Sequence, residues 1–317
     1  MKLKKVFICI RTKDWSTYKA NICLAMKAGF NNQFLANFEV EHGARIPKKN
    51  YDYAVLWGYK RELKYDPWRV EIVNSVSPQN LIVIEVGSFI YKNKNHYSKF
   101  PGLGNLLPDE NWYSVGRGDF KYGGIKFGRT DYRNENSPPD RLEKLGLEFN
   151  TVNWKDNNKI MICGQIINDA TIDDLDFNLW LHDTYTTLRK NTKKEIYFKP
   201  HPMQNISKYV IPEGCKVIEN NYIFKDIIDQ YYAVVTLNSN SGVESLLEGV
   251  PAIATNKRSM IYKQSATYDL AEIDNIKIIS EEDKLQWAYD MSYSHWTLDE
   301  MKQGLPHRQL GLLEKFK

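Results

Sequence analysis

Short apolar runs recur along the chain and are separated by longer polar or amphipathic stretches. Runs of four to eight apolar residues bounded by turn residues are typical of buried strands. The sequence predicts such strands at residues 5–10, 53–58, 81–87, 159–164, 195–199, 233–237 and 251–254. Because strands alternate with helix-like stretches, the pattern favours an α/β protein whose parallel sheets are covered on both faces.

The stretches between these runs include several with helical composition. Predicted helices cover residues 16–29, 140–145, 173–191, 222–231, 241–248 and 282–303. Gly29 is a suitable stop for the first of them. Near the C-terminus, Thr297 and Glu300 have the spacing of a capping box.

Residues 91–140 break the pattern, because they are rich in Asn, Gly, Tyr and Lys and contain Gly-Arg-Gly-Asp at 116–119. Long loops in compact proteins usually carry a binding function. We place a domain boundary near 145–156. The prediction is one Rossmann-like α/β domain at 1–150 and a second one with C-terminal helices at 151–317, with a cleft between them.

Composition excludes several classes of protein. The 317 residues are enough for two domains at roughly 150 residues per domain. With 42% hydrophobic and 26% charged residues, the chain is neither mainly disordered nor collagen-like. Its apolar runs are far shorter than the ~20 residues of a membrane span, and it opens without a signal-peptide pattern. Four cysteines without a CxxC pair predict free thiols in a reducing cytosol and no metal site.

The charge is distributed unevenly. Residues 1–150 hold 24 Lys and Arg against 16 Asp and Glu, whereas residues 151–317 hold 19 against 23. A basic half joined to a mildly acidic half indicates that the first half meets an anionic partner. The alternative is a solvated, Lys-rich surface.

The segment 234–251 is the most informative. A buried strand leads directly into Ser239, Asn240, Ser241 and Gly242, and a helix follows. Helix N-terminal N–H groups and serine hydroxyls favour an anion, and a glycine allows close backbone approach, so this turn predicts a nucleotide-phosphate site. Glu244, one turn along, is suited to accept from sugar hydroxyls. The P-loop lysine is missing, which disfavours ATP hydrolysis. The alternative is an ordinary capped helix.

The segment 197–202 places His201 between two prolines at the end of a strand. Proline restricts the backbone, and a histidine held this way can bind a phosphate or protonate a leaving oxygen. Lys199 supplies positive charge nearby. The alternative is a structural histidine.

Two further strand ends carry polar groups. Gln165 offers an amide suited to a base or a sugar, and Asp169 either binds a hydroxyl or caps the helix that follows. In the first half, Glu85 lies at the end of an apolar strand, where a carboxylate can act as a base, a nucleophile or an acceptor-orienting group. The alternative for Glu85 is an ordinary surface position.

In this order, the segments Glu85-x-Gly87-x-Phe89, Gln165-x-x-x-Asp169, Lys199-Pro-His201-Pro and Ser239-Asn-Ser-Gly-x-Glu244 resemble the capsule polysaccharide biosynthesis glycosyltransferases that include the Kdo transferases. The resemblance implies a GT-B fold, in which the domain at 1–150 binds the acceptor and the domain at 151–317 holds most of a nucleotide sugar. It implies that His201, Ser239 and Ser241 bind the phosphate of that sugar. Where the family often has Glu-Asp-Gly, this chain has Val86, which leaves Glu85 and Asp119 as candidate catalytic carboxylates.

The tail at 287–304, together with Cys163-Gly-Gln165, also resembles glycosyltransferase-like proteins of tailed phages. That resemblance implies transfer of glucose or arabinose, from a UDP-sugar first and a CMP-sugar second, to a hydroxymethylated base in phage DNA within a bacterial cytoplasm. The basic first half fits a duplex DNA partner. A base taken out of the stack would rest on aromatics such as Trp112, Tyr113 and Tyr122, and Arg117 is a further candidate for binding the acceptor.

Three hypotheses follow: a DNA-base glycosyltransferase, a glycan-building transferase of the Kdo type, and a non-catalytic nucleotide- or nucleic-acid-binding protein. The sequence predicts no cofactor beyond the nucleotide-sugar substrate. Positive side chains and a helix dipole can stabilise a leaving phosphate.

Overall fold

The chain forms two compact units. The computed structural model describes residues 3–10, 18–31, 38–46, 50–58, 67–87, 112–117, 134–147, 149–167, 169, 172, 175–219 and 222–312. Unit 1 comprises the described residues within Met1–Arg141 and Tyr289–Lys317, and unit 2 those within Leu142–Ala288.

Each unit is built on one sheet. The strands described in unit 1 are β1 (Lys4–Cys9), β2 (Phe38–Gly43), β3 (Tyr53–Trp57), β4 (Leu81–Val86), β5 (Tyr113–Arg117) and, from the C-terminal part, β11 (His295–Trp296). The strands described in unit 2 are β6 (Lys159–Cys163), β7 (Glu195–Lys199), β8 (Lys216–Val217), β9 (Ala233–Thr236) and β10 (Ala252–Ala254).

Helices connect and cover the strands. They are α1 (Tyr18–Phe30), α2 (Pro67–Val73), α3 (Asp140–Leu145), α4 (Phe177–Asn191), α5 (Phe224–Ile227), α6 (Ser241–Leu247), α7 (Glu281–Ser292), α8 (Leu298–Lys302) and α9 (Leu305–Gln309). Short 3₁₀ turns lie between several of them, for example at Ile228–Gln230 directly after α5.

The sheet of unit 1 has the order β11-β5-β4-β3-β1-β2. Strands β1 to β4 pair in parallel, as the alternating pattern predicts. However, β5 pairs antiparallel with β4, and β11 pairs antiparallel with β5. The expectation of a parallel sheet is therefore wrong for this edge, where two strands from distant parts of the sequence add to the parallel core.

Both faces of this sheet are buried. In β1, Val6 and Ile8 face one apolar cluster, and Phe7 and Cys9 face another. A strand buried on both faces reads as a continuous apolar run rather than an alternating one, which explains why β1 was recognisable. The edge strand β2 alternates apolar and charged residues and is only partly buried.

The C-terminal residues pack on α1 of unit 1. A Cβ atom added to Gly29 would overlap the Met301 carbonyl oxygen, so the backbones of α1 and α8 are in close contact here. On the same helix, the Phe30 ring meets the edge of His307 at 4.3 Å, and His307 Nε2 is 3.0 Å from the Met26 carbonyl oxygen. Residues 289–317 thus belong with the first unit, whereas the sequence-based division assigned them to the second.

A buried ion pair fixes this tail to α3. The Arg141 guanidinium donates to both carboxylate oxygens of Glu300, at 3.2 and 3.1 Å. It also donates to the backbone carbonyls of Ser292 and His295 and lies 3.9 Å from the centre of the Trp296 ring. These contacts occupy most of the five N–H donors of the arginine, so the buried charge is well compensated.

Two predicted helices have different bounds in the structure. The predicted helix at 282–303 is interrupted: α7 ends at Ser292, β11 follows, and α8 begins after Thr297. Thr297 and Glu300 do form a capping box, and this cap starts a new helix rather than lying within one. The predicted helix at 173–191 begins at Phe177, because Asp176 caps it by accepting from two backbone N–H groups.

The sheet of unit 2 is parallel throughout its described strands, in the order β10-β9-β6-β7-β8. Strand β6 lies at the centre, with β9 on one side and β7 on the other. Apolar clusters cover both faces. Because all these strands point the same way, the segments that follow them lie along one edge, which is where α/β sheets bind ligands.

Candidate functional site

The carboxyl edge of the unit 2 sheet brings the predicted motifs together. The last residues of three adjacent strands are in register: Cys163 of β6 pairs with Lys199 of β7 and with Thr236 of β9. The segments that carry Gln165, His201 and Ser239 therefore start from neighbouring positions on one edge. These motifs are separated by more than thirty residues in sequence, and the parallel topology alone makes them neighbours.

The serine turn, residues 239–242, is closed by its own hydroxyls. Ser239 N donates to Thr236 Oγ1 at 2.9 Å, and Ser241 N donates to Ser239 Oγ at 3.3 Å. The two serine hydroxyls lie 3.1 Å apart. Ser239, Asn240 and Ser241 are all partly exposed. A ligand at this edge thus meets a pair of linked hydroxyls.

The backbone of the turn offers less to an anion than expected. Gly242 N donates to the Ser239 carbonyl, and the N–H groups of Val243 and Glu244 donate to the Asn240 carbonyl. The prediction of free N–H groups at the start of α6 is therefore wrong for these positions, since a tight first turn satisfies them. The serine hydroxyls remain as the groups suited to a phosphate.

Gly242 serves packing rather than ligand approach. A Cβ at this position would lie 2.6 Å from Ile261 Cδ1 and 3.3 Å from Thr236 Cγ2. The glycine is buried and lets α6 settle against Ile261. The sequence suggested that a glycine here lets a ligand approach the backbone. In the structure it lets the Ile261 side chain approach instead.

Gln165 supports the serine turn through hydrogen bonds to Asn238, the residue directly before it. Its Nε2 donates to Asn238 Oδ1 at 2.6 Å, and its Oε1 accepts from Asn238 N at 3.1 Å. Both residues are buried, at 6% and 1% exposure. Because the amide is directed to Asn238, Gln165 is a positioning residue for the serine turn, and its contact with a base or a sugar stays a prediction.

Tyr209 links the ends of β6 and β7. Its hydroxyl donates to the Gln165 carbonyl at 2.8 Å and accepts from His201 N at 3.3 Å. Burial raises the pKa of this phenol to about 12, so it remains a neutral hydrogen-bonding group. No motif in the sequence marks Tyr209, which lies in a loop between β7 and β8.

The β6 and β7 segments approach closely at Gly164. Gly164 N donates to the Lys199 carbonyl at 2.8 Å. A Cβ at Gly164 would lie 2.9 Å from His201 N and 3.1 Å from the Lys199 carbonyl oxygen, both of which are backbone atoms that cannot rotate away. A glycine is thus required to bring the β6 end beside the histidine.

His201 is held in one tautomer. Its Nδ1 accepts from Met203 N at 3.2 Å, so in the neutral ring the proton lies on Nε2, which is the group left to donate. Burial lowers the pKa of His201 below 6.5, the negative charge of Asp169 opposes that shift, and Lys199 adds to it. At neutral pH the ring is therefore mainly an uncharged N–H donor.

Asp169 acts on this histidine rather than as a helix cap. The cap of α4 is Asp176, seven residues later. Asp169 is partly exposed, and its charge raises the pKa of His201 against the effect of burial. Of the two alternatives left open by the sequence, capping of the following helix is excluded.

Lys199 lies below the edge with only 7% of its surface exposed. Burial lowers the pKa of its ammonium group, and the neighbouring Cys163 and Glu244 oppose that shift. Cys163 shares a hydrogen bond with the Ser241 side chain, yet burial raises the pKa of its thiol to about 12. The thiol is therefore not a nucleophile, and the cluster consists of one cation, one carboxylate and one neutral thiol beneath the serine turn.

The predicted site residues of unit 1 do not all lie at the same end of the sheet. Glu85, partly buried, pairs with Ser114 near the carboxyl end of β4, and Trp112 lies just before β5 at the same end. Arg117 pairs with Ile82, near the amino end of β4. At about 3.3 Å per residue, Arg117 is more than 10 Å along the strand from Tyr113. Arg117 therefore lies near the end of β5 opposite to Tyr113, and its predicted role in binding the acceptor stays a prediction.

The aromatic residues differ in access. Tyr113 is 2% exposed and packs edge-on against Trp57 at 6.0 Å, so the prediction that it stacks on an extruded base is wrong. Trp112 is partly exposed, with the Arg141 guanidinium 5.7 Å from its ring centre. Asp119 and Tyr122, the other two predicted residues of this region, lie outside the described residues.

Two features are absent from the described residues, a metal-binding cluster and a membrane-spanning helix. No group of three or more His, Cys, Asp or Glu side chains in the described ranges is placed to hold a metal ion. None of the helices found in those ranges has the length and apolar character to cross a membrane.

Known structures share this architecture. Thermosulfurimonas dismutans KpsC, titled a beta Kdo 2,4 transferase, matches with a TM-score of 0.53 and 13% identity over 92% of this chain and 91% of that chain. KpsC titled a beta Kdo 2,7 transferase matches with a TM-score of 0.48 and 16% identity over 96% of this chain and 99% of that chain. The S. aureus MnaA-UDP co-structure matches with a TM-score of 0.31 and 11% identity over 95% of this chain and 94% of that chain. No family model and no curated protein matches the sequence. The first likeness shows the fold, so the chain has the α/β architecture of the GT-B glycosyltransferases.

Proposed function

We propose that this protein is a glycosyltransferase that takes its sugar from a nucleotide sugar bound at the carboxyl edge of the unit 2 sheet. One observation carries the proposal: the ends of β6, β7 and β9 are adjacent and present the Nε2–H group of His201 and the hydroxyls of Ser239 and Ser241 along that edge. These are hydrogen-bond donors suited to a phosphate. The GT-B architecture supports the same conclusion.

In the proposed reaction, an acceptor hydroxyl oxygen attacks the anomeric carbon of the sugar. The bond from that carbon to the phosphate oxygen breaks, and its electron pair stays on the leaving phosphate. The proton of the acceptor hydroxyl passes to a base, for which Glu85 and Asp119 are the candidates. Hydrogen bonds that strengthen as charge develops on the phosphate would lower the barrier.

His201 is suited to the leaving-group side of this step. Its pKa in the free protein lies below 6.5, so the ring binds as a neutral donor at pH 7. A phosphate beside the ring would favour the protonated form. Binding is therefore coupled to proton uptake, and the affinity for UDP should increase as the pH falls from 8 toward 6.

Lys199 and Glu244 have supporting roles in this proposal. The buried ammonium lies beneath the serine turn and adds a positive field to the phosphate site. Glu244 is partly exposed on the first turn of α6, where it can accept from a sugar or ribose hydroxyl while compensating Lys199. Gln165, through Asn238, fixes the position of the turn.

For the acceptor, a glycan is the first candidate. Of the four residues expected to hold a DNA base, Tyr113 is buried and Arg117 lies at the other end of the sheet. KpsC, which shares the fold, is titled a beta Kdo transferase. UDP-sugars and CMP-sugars, the two donor classes that the sequence suggested, are both in the set of donors to test.

A hydroxymethylated base in duplex DNA is the second candidate. The observation that favours it is charge, because the first hundred residues hold 17 Lys and Arg against 8 Asp and Glu. Such an excess would bind the phosphate backbone with a steep dependence on salt. Binding to duplex DNA that does not weaken between low and physiological salt would count against this candidate.

The test is a transfer assay with the full chain. UDP-, GDP- and CMP-sugars are each combined with hydroxymethylated duplex DNA or with a set of oligosaccharides, and products are weighed by mass spectrometry. We expect one pair to gain a sugar mass, and His201→Ala to reduce its rate at least a hundredfold, the lower range for loss of a general acid. The matched control is His182→Ala, an exposed histidine of α4 in the same unit.

The outcomes separate the three hypotheses. A sugar on DNA selects the base-modifying enzyme, and a sugar on an oligosaccharide selects the glycan enzyme. Binding of UDP or CMP that depends on His201, without transfer or hydrolysis of any donor, selects a non-catalytic nucleotide-binding protein. Failure of every nucleotide to bind would contradict the proposed site itself.

A further inference from the structure

Unit 1 contains a polar cavity away from Glu85. Because β5 runs antiparallel to β4, Arg117 lies opposite Ile82 at the amino end of β4, whereas Glu85 lies opposite Ser114 near the carboxyl end. The cavity lies beside Arg117 and has a volume of about 370 Å³. That volume is in the lower part of the ~300–1,000 Å³ range of small-molecule sites.

The walls of this cavity are fixed by hydrogen bonds between distant segments. Asn134 Nδ2 donates to the Asp290 carbonyl and to Ser294 Oγ, each at 3.2 Å, and Asn134 Oδ1 accepts from Gln309 Nε2 at 2.7 Å. Behind them, Val115 N donates to the Ser294 carbonyl at 3.0 Å. Strand β5, the segment at 134–137 and the C-terminal tail are thus held together around the cavity.

The segment at 134–137 is shaped to face the cavity. Asn136 has a φ of +57°, a left-handed conformation that asparagine tolerates better than most residues. Ser137 N donates to Asp290 Oδ1 at 2.8 Å, which fixes the turn at its far end. Glu135, between the two fixed points, is an exposed part of the cavity wall.

The chemistry of the lining selects a class of ligand. Among the described residues, it combines one guanidinium, one carboxylate and several uncharged amides and hydroxyls, contributed by Arg117, Glu135, Asn134, Ser294 and Gln309. One cation balanced by one anion does not suit a diphosphate or a nucleic acid backbone. A mixture of donors and acceptors at short range suits a ligand whose groups both donate and accept, which is the property of sugar hydroxyls.

A nucleobase fits this lining poorly. Tyr293 is the aromatic residue of the cavity wall, and its hydroxyl donates to Asp140 Oδ1 at 2.8 Å. The Arg141 guanidinium lies 5.7 Å from the centre of the same ring. Because its hydroxyl is hydrogen-bonded and a cation lies beside its ring, Tyr293 lines the cavity but is poorly placed to stack on a base.

We propose that this cavity, at the Arg117 end of β5, binds one sugar unit of a carbohydrate. The Arg117 guanidinium and the Glu135 carboxylate take hydroxyls on two sides of the ring, and Gln309 and Ser294 complete the set. The inference goes beyond the proposed transferase, because the site lies wholly within unit 1 and does not require a nucleotide sugar to bind. If the protein modifies a glycan, this site holds a unit of the chain other than the one that reacts.

The test measures carbohydrate binding by ligand-observed NMR with the full chain. The probes are glucose, N-acetylglucosamine and glucuronate as free sugars, short oligosaccharides of the same sugars, and inorganic phosphate. We expect at least one sugar to bind, and Arg117→Gln to weaken it about tenfold, since a hydrogen bond to a charged group contributes this much. The matched control, Lys302→Gln, changes an exposed charge of the same unit outside the cavity and should leave the affinity unchanged.

A second variant keeps the test decisive if Arg117→Gln does not fold. Glu135 is exposed, so Glu135→Gln should preserve the fold and weaken the same sugar several-fold. Binding by none of the sugars, or binding that neither variant changes, would overturn the proposal. Phosphate binding that depends on Arg117 while no sugar binds would also overturn it, in favour of an anion site.

The donor site is followed in the same experiment through UDP and CMP. His201→Ala should abolish nucleotide binding and leave sugar binding at the cavity intact. Arg117→Gln should do the reverse. Loss of one kind of binding therefore reports on one proposal alone, and either can fail while the other holds.

Discussion

The two sheets differ in the direction of their strands, and this difference determines where the candidate functional residues come together. In unit 2 the described strands are parallel, so the segments after β6, β7 and β9 meet at one edge and bring together groups from three motifs. In unit 1 the antiparallel strand β5 carries its residues in the opposite direction, so Arg117 and Glu85 lie at different ends of the sheet. In a parallel sheet, motifs that are distant in sequence meet at one edge, whereas an antiparallel strand can place residues of two adjacent strands at opposite ends of the sheet.

The units also place their ionisable groups differently. Unit 1 buries Arg141, Glu300, His295 and His307, all at or near the junction with its C-terminal tail. In unit 2 the histidine of the candidate site, His201, remains partly exposed at the edge of the sheet. The buried Arg141–Glu300 pair of unit 1 thus stabilises the fold, whereas His201 at the edge of unit 2 is accessible to a ligand.

The largest effect should come from the buried ion pair of unit 1. Arg141→Leu leaves the Glu300 carboxylate buried without its cation, and breaking such a pair costs about 3–5 kcal/mol. We expect this loss in urea unfolding of the full chain, with hydrogen exchange locating it in unit 1.

The matched comparison for that variant is Lys302→Ala, which removes an exposed ion pair with Asp299 on α8. An exposed pair contributes about 0–1 kcal/mol. Equal losses in the two variants would contradict the assigned role of the buried pair.

Acid should destabilise unit 1 through its histidines. Burial lowers the pKa of His295 and of His307 from 6.5 to about 4. The unfolded chain therefore binds more protons than the folded chain between these values, so stability is full above pH 6.5 and falls as the pH drops toward 4. The loss is roughly 3 kcal/mol for each histidine by pH 4, at 1.36 kcal/mol per pKa unit. Urea titrations at pH 7, 6 and 5 measure it.

NMR titration of the imidazoles supplies the independent check. His295 Nδ1 lies 2.7 Å from the Met291 carbonyl oxygen, and His307 Nε2 lies near that of Met26, so both rings are held within the fold. Imidazole signals from these two residues that titrate near pH 6.5 in the folded protein would remove the predicted pH effect.

A smaller effect should follow from Gln165→Leu, which tests the edge of unit 2. The substitution keeps the volume and removes the partners of Asn238, whose buried N–H then lacks an acceptor. An unsatisfied buried group costs about 1–3 kcal/mol. We also expect weaker UDP binding in calorimetry, because the serine turn loses its support.

The comparison for that variant is Gln204→Ala. Gln204 accepts from Ile167 N at 3.2 Å in a partly buried place near the same edge. If both variants weaken UDP equally, the Gln165–Asn238 pair has no special role in placing the serine turn.

The smallest effect should come from the capping box of α8. Thr297 Oγ1 accepts from Glu300 N at 3.2 Å, and Glu300 Oε2 accepts from Thr297 N at 3.0 Å. Thr297→Ala should cost about 1 kcal/mol. Thr297→Ser keeps the hydroxyl and serves as the control. A loss in thermal unfolding that is the same for serine and alanine would assign the effect to the methyl group instead.

Much of the fold could be predicted from apolar runs. Strands buried on both faces, such as β1, β4, β6 and β9, are continuous apolar segments, and their bounds agree with the predicted ranges to within one or two residues. The serine turn and the histidine between prolines were also recognisable, because each follows such a strand directly.

Other elements carried no local signal. Strand β5 includes Gly116 within a glycine-rich stretch, and it becomes a strand through pairing with β4, about thirty residues earlier. Strand β11 has two residues and forms because β5 is beside it. The same limit applied to Gln165, whose partner Asn238 is 73 positions away. Contacts between residues that are distant in sequence determine these features, and the local composition does not reveal such contacts.

The division of the chain has a consequence for its synthesis. Unit 2 is one continuous stretch, whereas unit 1 is completed by residues made after it. At about 5–20 residues per second, the ribosome would finish unit 2 about 1–4 s before it finishes α9. During that interval Met26 and Phe30 lack their partner His307 on α9. A newly made chain thus exposes an apolar face of α1 until α8 and α9 have been synthesised, and their packing on α1 removes that surface from aggregation.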